Sequence, residues 1–225
     1  MKTTNTQREE SRSDLQQRAR IIIQKLSTEY PDATIALRYS NPLELLISTI
    51  LSAQCTDARV NIVTEDLFEH YKTAADYATA DLVQLEKEIH STGFYHAKAK
   101  NIIACCKALV EKYNGKVPST METLTALAGV GRKTANVVLS GAFGIVEGVV
   151  VDTHVARLSQ RLGFTSQTNP QKIELDIMNI IPKKDWYVIG NLLVWHGRTI
   201  CDARKPKCSH CSISLLCPSV QTPHD

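Results

Sequence analysis

The sequence predicts an all-α fold, and three observations support that prediction. Glycine and proline are sparse, at ten and eight of 225 residues, which suits helices better than strands joined by turns. Apolar residues recur with helical spacing, and many of the apolar runs follow a helix-capping residue. No two alternating runs would pair into a sheet, and the one extended-looking stretch spans residues 145–151.

Capping residues and helix breakers set the expected bounds of about ten helices. We interpret Ser13 with Gln16, and Ser119 with Glu122, as capping boxes. Asn41, which stands before a proline, predicts an N-cap and a first helical turn. The expected helices span residues 13–30, 42–54, 56–71, 81–90, 95–113, 119–127, 132–143, 152–163, 169–181 and 184–197.

Composition and charge limit the class of protein. Apolar residues make up 43% of the chain, and no apolar run approaches the roughly 18 residues that cross a bilayer. The first 12 residues are polar, have no apolar core like that of a secretory signal and are expected to be disordered, so we expect a cytoplasmic protein. The net charge of +3 is weak evidence for a polyanionic partner. Cations are concentrated near the C-terminus, where Asp202 is the single acid among Arg198, Arg204, Lys205 and Lys207.

Four of the seven cysteines form a cluster in the sequence. Cys201, Cys208, Cys211 and Cys217 have the spacing C-x6-C-x2-C-x5-C, which places four thiols on short loops able to wrap one metal centre. An odd number of cysteines without a signal sequence argues against a disulfide scaffold. Zinc usually takes two close cysteine pairs and only one is present, so an iron–sulfur cluster fits at least as well and the spacing leaves both open.

The remaining cysteines have a simpler interpretation. Cys55, Cys105 and Cys106 lie on predicted helices, and no catalytic base is paired with them in the sequence. We therefore expect them to be core or near-core thiols.

A glycine turn precedes a lysine that we consider a candidate nucleophile. Gly129 and Gly131, in the stretch LAGVGRK, allow positive φ and close approach of a ligand, and the turn leads into a helix N-terminus that favours phosphate. Arg132 adds a cation. Lys133 lies opposite the apolar face of its helix, in the first turn, where the helix dipole disfavours an ammonium. The alternative is an ordinary helix corner with an exposed lysine.

Asp152 is the natural partner of this lysine. It follows the apolar run of residues 149–151 and precedes a helix, so its structural role is an N-cap. A carboxylate at the end of an apolar segment is also able to stabilise a developing cation or to activate a nucleophile. The two roles are compatible.

Three motifs together resemble one known family. The segments LAGVGRKTANVVL, VDTHV and WHGRTICDARKPKCSHC, the last followed by a further cysteine, are similar to the endonuclease III family of the helix-hairpin-helix DNA glycosylase superfamily. The resemblance covers nearly the whole chain from about residue 15, with the motifs in family order. It implies a two-domain helical fold, a [4Fe–4S] cluster on the four cysteines, and damaged double-stranded DNA as the partner of a monomer.

The resemblance also implies an activity and its residues. Members are bifunctional glycosylases and AP lyases that remove oxidised pyrimidines, so Lys133 would attack C1′ of a flipped nucleotide, with Asp152 as the catalytic aspartate. β-Elimination would then cut 3′ to the lesion. The expected DNA contacts are the hairpin residues Leu127, Gly129, Val130, Gly131 and Arg132, the gap-filling Gln54, the wedge Phe94, and the basic residues Arg204, Lys205 and Lys207.

Domain bounds and two departures follow from the same comparison. The family architecture implies a helical barrel over residues 35–145, and a cluster domain built from residues 1–34 and 146–225, with the active site between them. Ala128 replaces the usual proline of the hairpin, and Phe94 stands where an aliphatic wedge is usual. The cellular location expected for such a protein is the nucleoid of a prokaryote.

Three other functions are open alternatives. An adenine-mismatch glycosylase shares the hairpin, the aspartate and the cluster, but that family lacks the lysine and carries a further C-terminal domain. A thymine-mismatch glycosylase is a closer match in length and also typically lacks the lysine. A non-catalytic DNA-binding scaffold with a structural metal is the third. Because Lys133 and Asp152 are both present, a bifunctional enzyme is favoured over all three.

Overall fold

The computed structural model describes residues 10–220, and every regular element in that range is helical. The predicted all-α fold is confirmed, and residues 145–151 form no strand. Residues 1–9 of the tail that was predicted to be disordered over residues 1–12 lie outside the described residues. Helix α1 begins at Arg12, the last residue of that predicted tail. The α-helices are α1 (Arg12–Glu29), α2 (Pro42–Leu51), α3 (Asp57–His70), α4 (Ala74–Ala78), α5 (Leu82–Glu88), α6 (Tyr95–Tyr113), α7 (Met121–Thr125), α8 (Arg132–Phe143), α9 (Thr153–Arg161), α10 (Pro170–Ile180) and α11 (Trp186–Thr199).

The N-caps show where capping residues were assigned correctly. Asn41 caps α2 by accepting the N–H of Glu44, as predicted. The box at Ser13 is wrong, since Ser11 caps α1 two residues earlier. The box at Ser119 is also wrong, because Thr120 caps α7. Serine and threonine both cap helices, so the residue that holds the extended backbone conformation decides between neighbouring hydroxyls.

Three further bounds differ from the prediction. Helix α4 was missed, although Thr73 and Asp76 form a full capping box. Helix α2 ends at Leu51 instead of running to residue 54. The Ala53 N–H donates to Ile50, three residues back, and Gln54 then takes a left-handed backbone with φ of 53°. Helix α5 ends at Glu88 and is followed by a 3-10 turn at His90–Thr92. Helix α4 was missed because its five residues are too few for an apolar period to be visible in the sequence.

The described chain divides into two compact units. The central unit comprises Ile35–Glu147, and the terminal unit comprises the residues up to Thr34 together with those from Gly148 onward. Identification of these units as a barrel domain and a cluster domain remains a prediction. In the central unit α4 packs on α6 and α2 packs on α8. Their apolar faces, with Leu46, Tyr77 and Ile102 fully buried, form its core.

The terminal unit has its own core, built from both parts of the chain. Helix α1 packs on α10 and α11, and α9 packs on α10 and α11. Ile22 and Leu26 of α1 are fully buried among Val155, Ile177 and Leu193. Within the described residues, no helix is both long enough and apolar enough to cross a membrane.

Candidate functional site

The hairpin between α7 and α8 is held by its glycines and by two apolar anchors. Leu127 and Val130 are buried, and the Val130 N–H donates to the Leu127 carbonyl at 3.2 Å. Gly129 has a φ of +75°, and a Cβ at this position would lie 2.9 Å from the Cβ of Asn101. Glycine is therefore required at 129 both by backbone conformation and by space. Ala128 sits half-buried between the two anchors.

The first turn of α8 begins without a side-chain cap. Gly131 is the N-cap residue, with an extended backbone and no side chain to accept the first N–H groups. A Cβ at this glycine would meet nothing within 4 Å. The first N–H groups of a helix have no partner within the helix itself, and together with the positive end of the helix dipole they favour an anion here.

Helix α8 has the phase that the sequence indicated. Ala135, Val138 and Leu139 are fully buried, while Ala142 is half-buried. Arg132 and Lys133 are exposed in the first turn. The lysine is thus on the side of α8 away from the core of the central unit.

Asp152, in the terminal unit, caps α9. Its Oδ1 accepts the N–H groups of His154 and Val155, both at 2.8 Å. The carboxylate is half-buried and follows the buried Val149 and Val151. Both hydrogen bonds use the same oxygen, so the cap orients the carboxylate and leaves Oδ2 outside these two bonds. The predicted N-cap is confirmed.

Gln54 and Phe94 share an unusual backbone. Both are exposed, and both lie in the left-handed region, with φ of 53° and 49°. Gln54 is in the turn after α2, and Phe94, 65% exposed, is the N-cap residue of α6. A left-handed backbone costs a residue with a Cβ about 1–2 kcal/mol, so other contacts must hold these two loops in place.

Lys98 on α6 supplies such a contact, and it was not predicted. Its side chain is 4% exposed, and Nζ donates to the carbonyls of Leu51 at 2.7 Å and Thr92 at 2.8 Å. Burial lowers the pKa of Lys98. A sequence signal was available, because Lys98 lies four residues before Ile102 and seven before Cys105, on the apolar stripe of α6.

The four clustered cysteines line one cavity of the terminal unit. This cavity, which we call the cysteine cavity, has a volume of about 290 Å³ and is bordered by Leu158, Ile200 and Ile213 as well as Cys201, Cys208, Cys211 and Cys217. All four cysteines are half-buried free thiols. Across residues 10–220, no three His, Cys, Asp or Glu side chains are close enough to share a single metal ion. Four sulfurs spread around a space of this size can bind a multi-atom group.

Two arginines of α9 hold the loop that begins the cysteine cluster. Arg161 donates to the carbonyls of Asp202 and Ala203 at 2.8 Å each, and its Nη1 lies 3.1 Å from the Cys201 sulfur. Arg157 donates to the Cys201 carbonyl at 3.0 Å. The guanidinium groups thus place positive charge beside a thiol that a metal requires as thiolate.

Two other cysteines of the cavity have raised thiol pKa values. Burial, followed by the mutual repulsion of the thiolates, raises the pKa of Cys211, and burial raises that of Cys217. His196 lies beside the cavity, with Nε2 3.3 Å from the Cys211 sulfur and Nδ1 3.1 Å from the Tyr30 hydroxyl. Burial lowers the pKa of His196, which favours the neutral ring.

The basic residues near the cysteines differ in exposure and partners. Arg204 and Lys205 are exposed. Lys207 is partly engaged, because Nζ donates to the Thr199 carbonyl at 2.8 Å and lies 3.9 Å from Asp202. Arg204 and Lys205 are therefore the better candidates for phosphate contacts.

The remaining three cysteines are core or near-core thiols, as expected, although Cys55 lies between α2 and α3 and not on a helix. Cys105 and Cys106 are fully buried in the central core, and burial raises the pKa of Cys105 to about 12. A thiol with so high a pKa is unreactive. Cys55 is half-buried and packs against the same core.

Comparison with known proteins agrees with this helical arrangement. Residues 47–183 match the model of the HhH-GPD superfamily of base excision DNA repair proteins. An endonuclease III from Synechocystis sp. is 54% identical over 205 residues, covering 91% of this chain and 94% of the relative. A solved structure described as a non-covalent endonuclease III–DNA complex aligns with a TM-score of 0.86 and 45% identity, covering 91% of this chain and 95% of the other.

A second solved structure bears on the chemistry of these relatives. It is described as a trapped covalent intermediate of endonuclease III with DNA, and it aligns with a TM-score of 0.86 and 45% identity over 91% of this chain and 96% of the other. For the relative and the two solved structures, the aligned region covers almost all of this chain and of the other chain. The chain therefore belongs to the endonuclease III family, within the HhH-GPD superfamily of base excision DNA repair proteins.

Proposed function

We propose that this chain is a bifunctional DNA glycosylase and AP lyase of base excision repair that removes oxidised pyrimidines from duplex DNA. The observation that carries the proposal is the position of Lys133, exposed in the first turn of an uncapped helix directly after the glycine hairpin. A relative 45% identical was trapped as a covalent intermediate with DNA. A covalent intermediate needs a nucleophile, and Lys133 is suited to that role.

Lys133 acts first as the nucleophile. Its neutral amine attacks C1′ of the flipped nucleotide, the bond from C1′ to the base breaks, and the base leaves with that electron pair. One proton of the nitrogen passes to O4′ as the C1′–O4′ bond breaks, which opens the sugar and leaves Lys133 joined to C1′ as a protonated imine. Loss of the C2′ proton to water or another base then expels the 3′ phosphate oxygen, and this β-elimination cuts the strand 3′ to the lesion. Water finally hydrolyses the imine and releases Lys133.

Asp152 supports the loss of the base. The N-cap bonds to His154 and Val155 hold Oδ1 and orient the carboxylate. A carboxylate so oriented stabilises positive charge that develops on the sugar as the bond to the base breaks.

The remaining candidate residues bind and open the duplex. The N–H groups of Gly129 and Gly131 and the α8 N-terminus bind backbone phosphates, with Arg132 beside them. The Val130 N–H is already donated to the Leu127 carbonyl, so Val130 serves the interface by anchoring the hairpin. Gln54 and Phe94 enter the gap left by the flipped base. Arg204 and Lys205 contact the backbone electrostatically, so binding weakens as salt rises.

We assign the cysteine cavity to a [4Fe–4S] cluster held by Cys201, Cys208, Cys211 and Cys217. The donor set fits, because four thiols are the usual ligands of such a cluster and all four border one cavity of about 290 Å³. When bound, the cluster cross-links a segment whose own regular structure is limited to two 3-10 turns. We further expect the protein to act as a monomer, on nucleoid DNA in the cytoplasm.

Borohydride trapping tests the lyase chemistry. The protein is incubated with duplex DNA that carries an abasic site, and borohydride reduces any imine to a stable adduct. We expect the wild type to be trapped and Lys133→Gln to give no adduct. The matched control is Lys172→Gln, since Lys172 is also an exposed lysine in the first turn of a helix, α10.

Two results would contradict the proposal. Base release without any trapped adduct would indicate a monofunctional mismatch glycosylase, and trapping by Lys133→Gln would place the nucleophile elsewhere. Chemical analysis of the purified protein decides the metal. The proposal requires iron and acid-labile sulfide in equal amounts, and zinc without sulfide would exclude the cluster.

A further inference from the structure

Lys98 lies where two candidate DNA-facing loops begin. Its Nζ bonds to Leu51, the last residue of α2, and to Thr92, two residues before Phe94. One nitrogen therefore bonds to two carbonyls that are far apart in the chain. The Leu51 carbonyl lies three residues before Gln54, and the Thr92 carbonyl lies two residues before Phe94. The two loops are within reach of the same ammonium.

The bond to Leu51 meets an electrostatic need of α2. This helix has no basic residue in its last turn, and the chain turns away after it, with the Cys55 N–H donating to Ser52. A cation at a helix C-terminus interacts favourably with the helix dipole. Lys98 supplies that cation from α6, at the start of the turn in which Gln54 is left-handed.

The bond to Thr92 completes a clamp on the second loop. The main-chain N–H of Lys98 donates to the Phe94 carbonyl at 3.0 Å, while its side chain holds the Thr92 carbonyl. Thr92 is itself buried, and its hydroxyl donates to Ile89. Residues 93 and 94 are thus bracketed by two hydrogen bonds of the same lysine.

We propose that Lys98 is a positioning residue, which locks the Gln54 and Phe94 loops together so that both side chains enter the duplex as one preformed unit. The inference rests on the proposed function, in which these two residues fill the gap left by a flipped base. Lys98 itself is buried and does not contact DNA. It holds in place the two left-handed backbones, which local preference would otherwise relax.

The test separates opening of the duplex from the lyase chemistry. Lys98→Met keeps most of the apolar stem of the side chain and removes the ammonium, and Lys107→Met makes the same change at an exposed lysine of the same helix. Base release from duplex DNA is measured in single turnover, and β-elimination is measured on a single-stranded abasic oligonucleotide, which has no pair to open. Fluorescence of 2-aminopurine beside the lesion reports unstacking.

We expect Lys98→Met to slow base release from the duplex by about 10- to 100-fold, as misplacement of contacts near a reaction does. The 2-aminopurine signal should fall with it, while elimination on the single strand stays close to wild type. Lys107→Met should match wild type in all three measurements. Equal losses on both substrates, or no loss on either, would overturn the inference.

A double-mutant cycle tests whether Lys98 acts through the two loop residues. In a Gln54→Ala/Phe94→Ala background, Lys98→Met should add less than about a twofold further loss, because coupled residues are not additive. A full additional loss contradicts the proposal. Should Lys98→Met fail to fold, Lys98→Gln takes its place. Its amide keeps two N–H donors but lacks the charge and is one bond shorter, so base release from the duplex should fall in the same direction by a smaller factor, with elimination on the single strand again close to wild type. If the wild type neither releases a base nor forms an adduct, the proposed function fails, whatever the Lys98 variants do.

Discussion

Gly129 and Asn101 are in such close contact that a Cβ on the glycine would stand 2.9 Å from the asparagine Cβ. Asn101 belongs to α6, so the hairpin tip rests directly on another helix of the central unit. The contact places the tip, while the buried Leu127 and Val130 hold its base. The hairpin is thus a fixed part of the central unit.

Gly129→Ala should therefore destabilise the protein by about 2 kcal/mol or more, since it adds a left-handed alanine and a steric overlap. Gly131→Ala is the matched control in the same loop. Gly131 has an extended backbone and open space around it, so we expect a change within about 1 kcal/mol. Denaturant unfolding of both variants checks the difference. Equal destabilisation would mean that the contact with Asn101 is unimportant.

Two substitutions at Asp152 should separate its cap from its catalytic role. Asp152→Asn keeps an oxygen for the N–H groups of His154 and Val155, so the free energy of unfolding should stay near that of wild type. Asp152→Ala should lose about 1 kcal/mol. Both should slow base release by about 100-fold or more, because neither has the carboxylate. Full activity in Asp152→Asn would show that the cap alone is needed.

Phe94 should illustrate a conflict between stability and binding. Phe94→Gly removes the left-handed strain, so the melting temperature should be unchanged or higher, with a gain of at most about 1 kcal/mol. The same variant should bind lesion-containing duplex about tenfold more weakly, since the ring is lost. Phe94→Leu retains an apolar wedge and the strain, and it should resemble wild type in both measurements. Undiminished binding by Phe94→Gly would remove Phe94 from the DNA interface.

Arg161→Met should loosen the cysteine loop. It removes the donors to the Asp202 and Ala203 carbonyls and the charge beside Cys201, at a cost of about 2–3 kcal/mol. We expect less iron and sulfide per protein after purification and faster loss of colour with a chelator. Arg20→Met, at an exposed arginine of α1, is the control and should retain wild-type content. Equal iron content in both variants would argue that the loop needs no support from α9.

Much of the local structure was predictable because its causes are local. The bounds of α6 and α8 follow from apolar spacing and flanking breakers, and the cap at Asp152 follows from a polar residue after an apolar run. Helical phase also placed Lys133 on the exposed side of α8. Spacing grouped the four cysteines that line one cavity, although spacing did not decide between zinc and iron–sulfur, and their role as ligands stays a prediction.

What the sequence did not predict depends on contacts between distant residues. Gln54 has a left-handed backbone in the turn after α2, and propensity gives no sign of it. Lys98 stood on an apolar stripe, yet its role required knowing that two remote carbonyls lie beside it. The contact of Gly129 with Asn101 likewise cannot be predicted from the sequence, because it joins residues that are distant in the chain.

In the terminal unit α1 packs on α11, which is synthesised much later. The order of synthesis therefore affects which unit is able to fold first. Helix α1 emerges from the ribosome well before α11, with the whole central unit made in between. At usual synthesis rates the delay is on the order of ten seconds. During that delay the apolar side chains of Ile22 and Leu26 lack the later residues against which they pack in the folded protein. Nascent chains should therefore complete the central unit first, and a chaperone that covers α1 during the delay would raise the yield of folded protein.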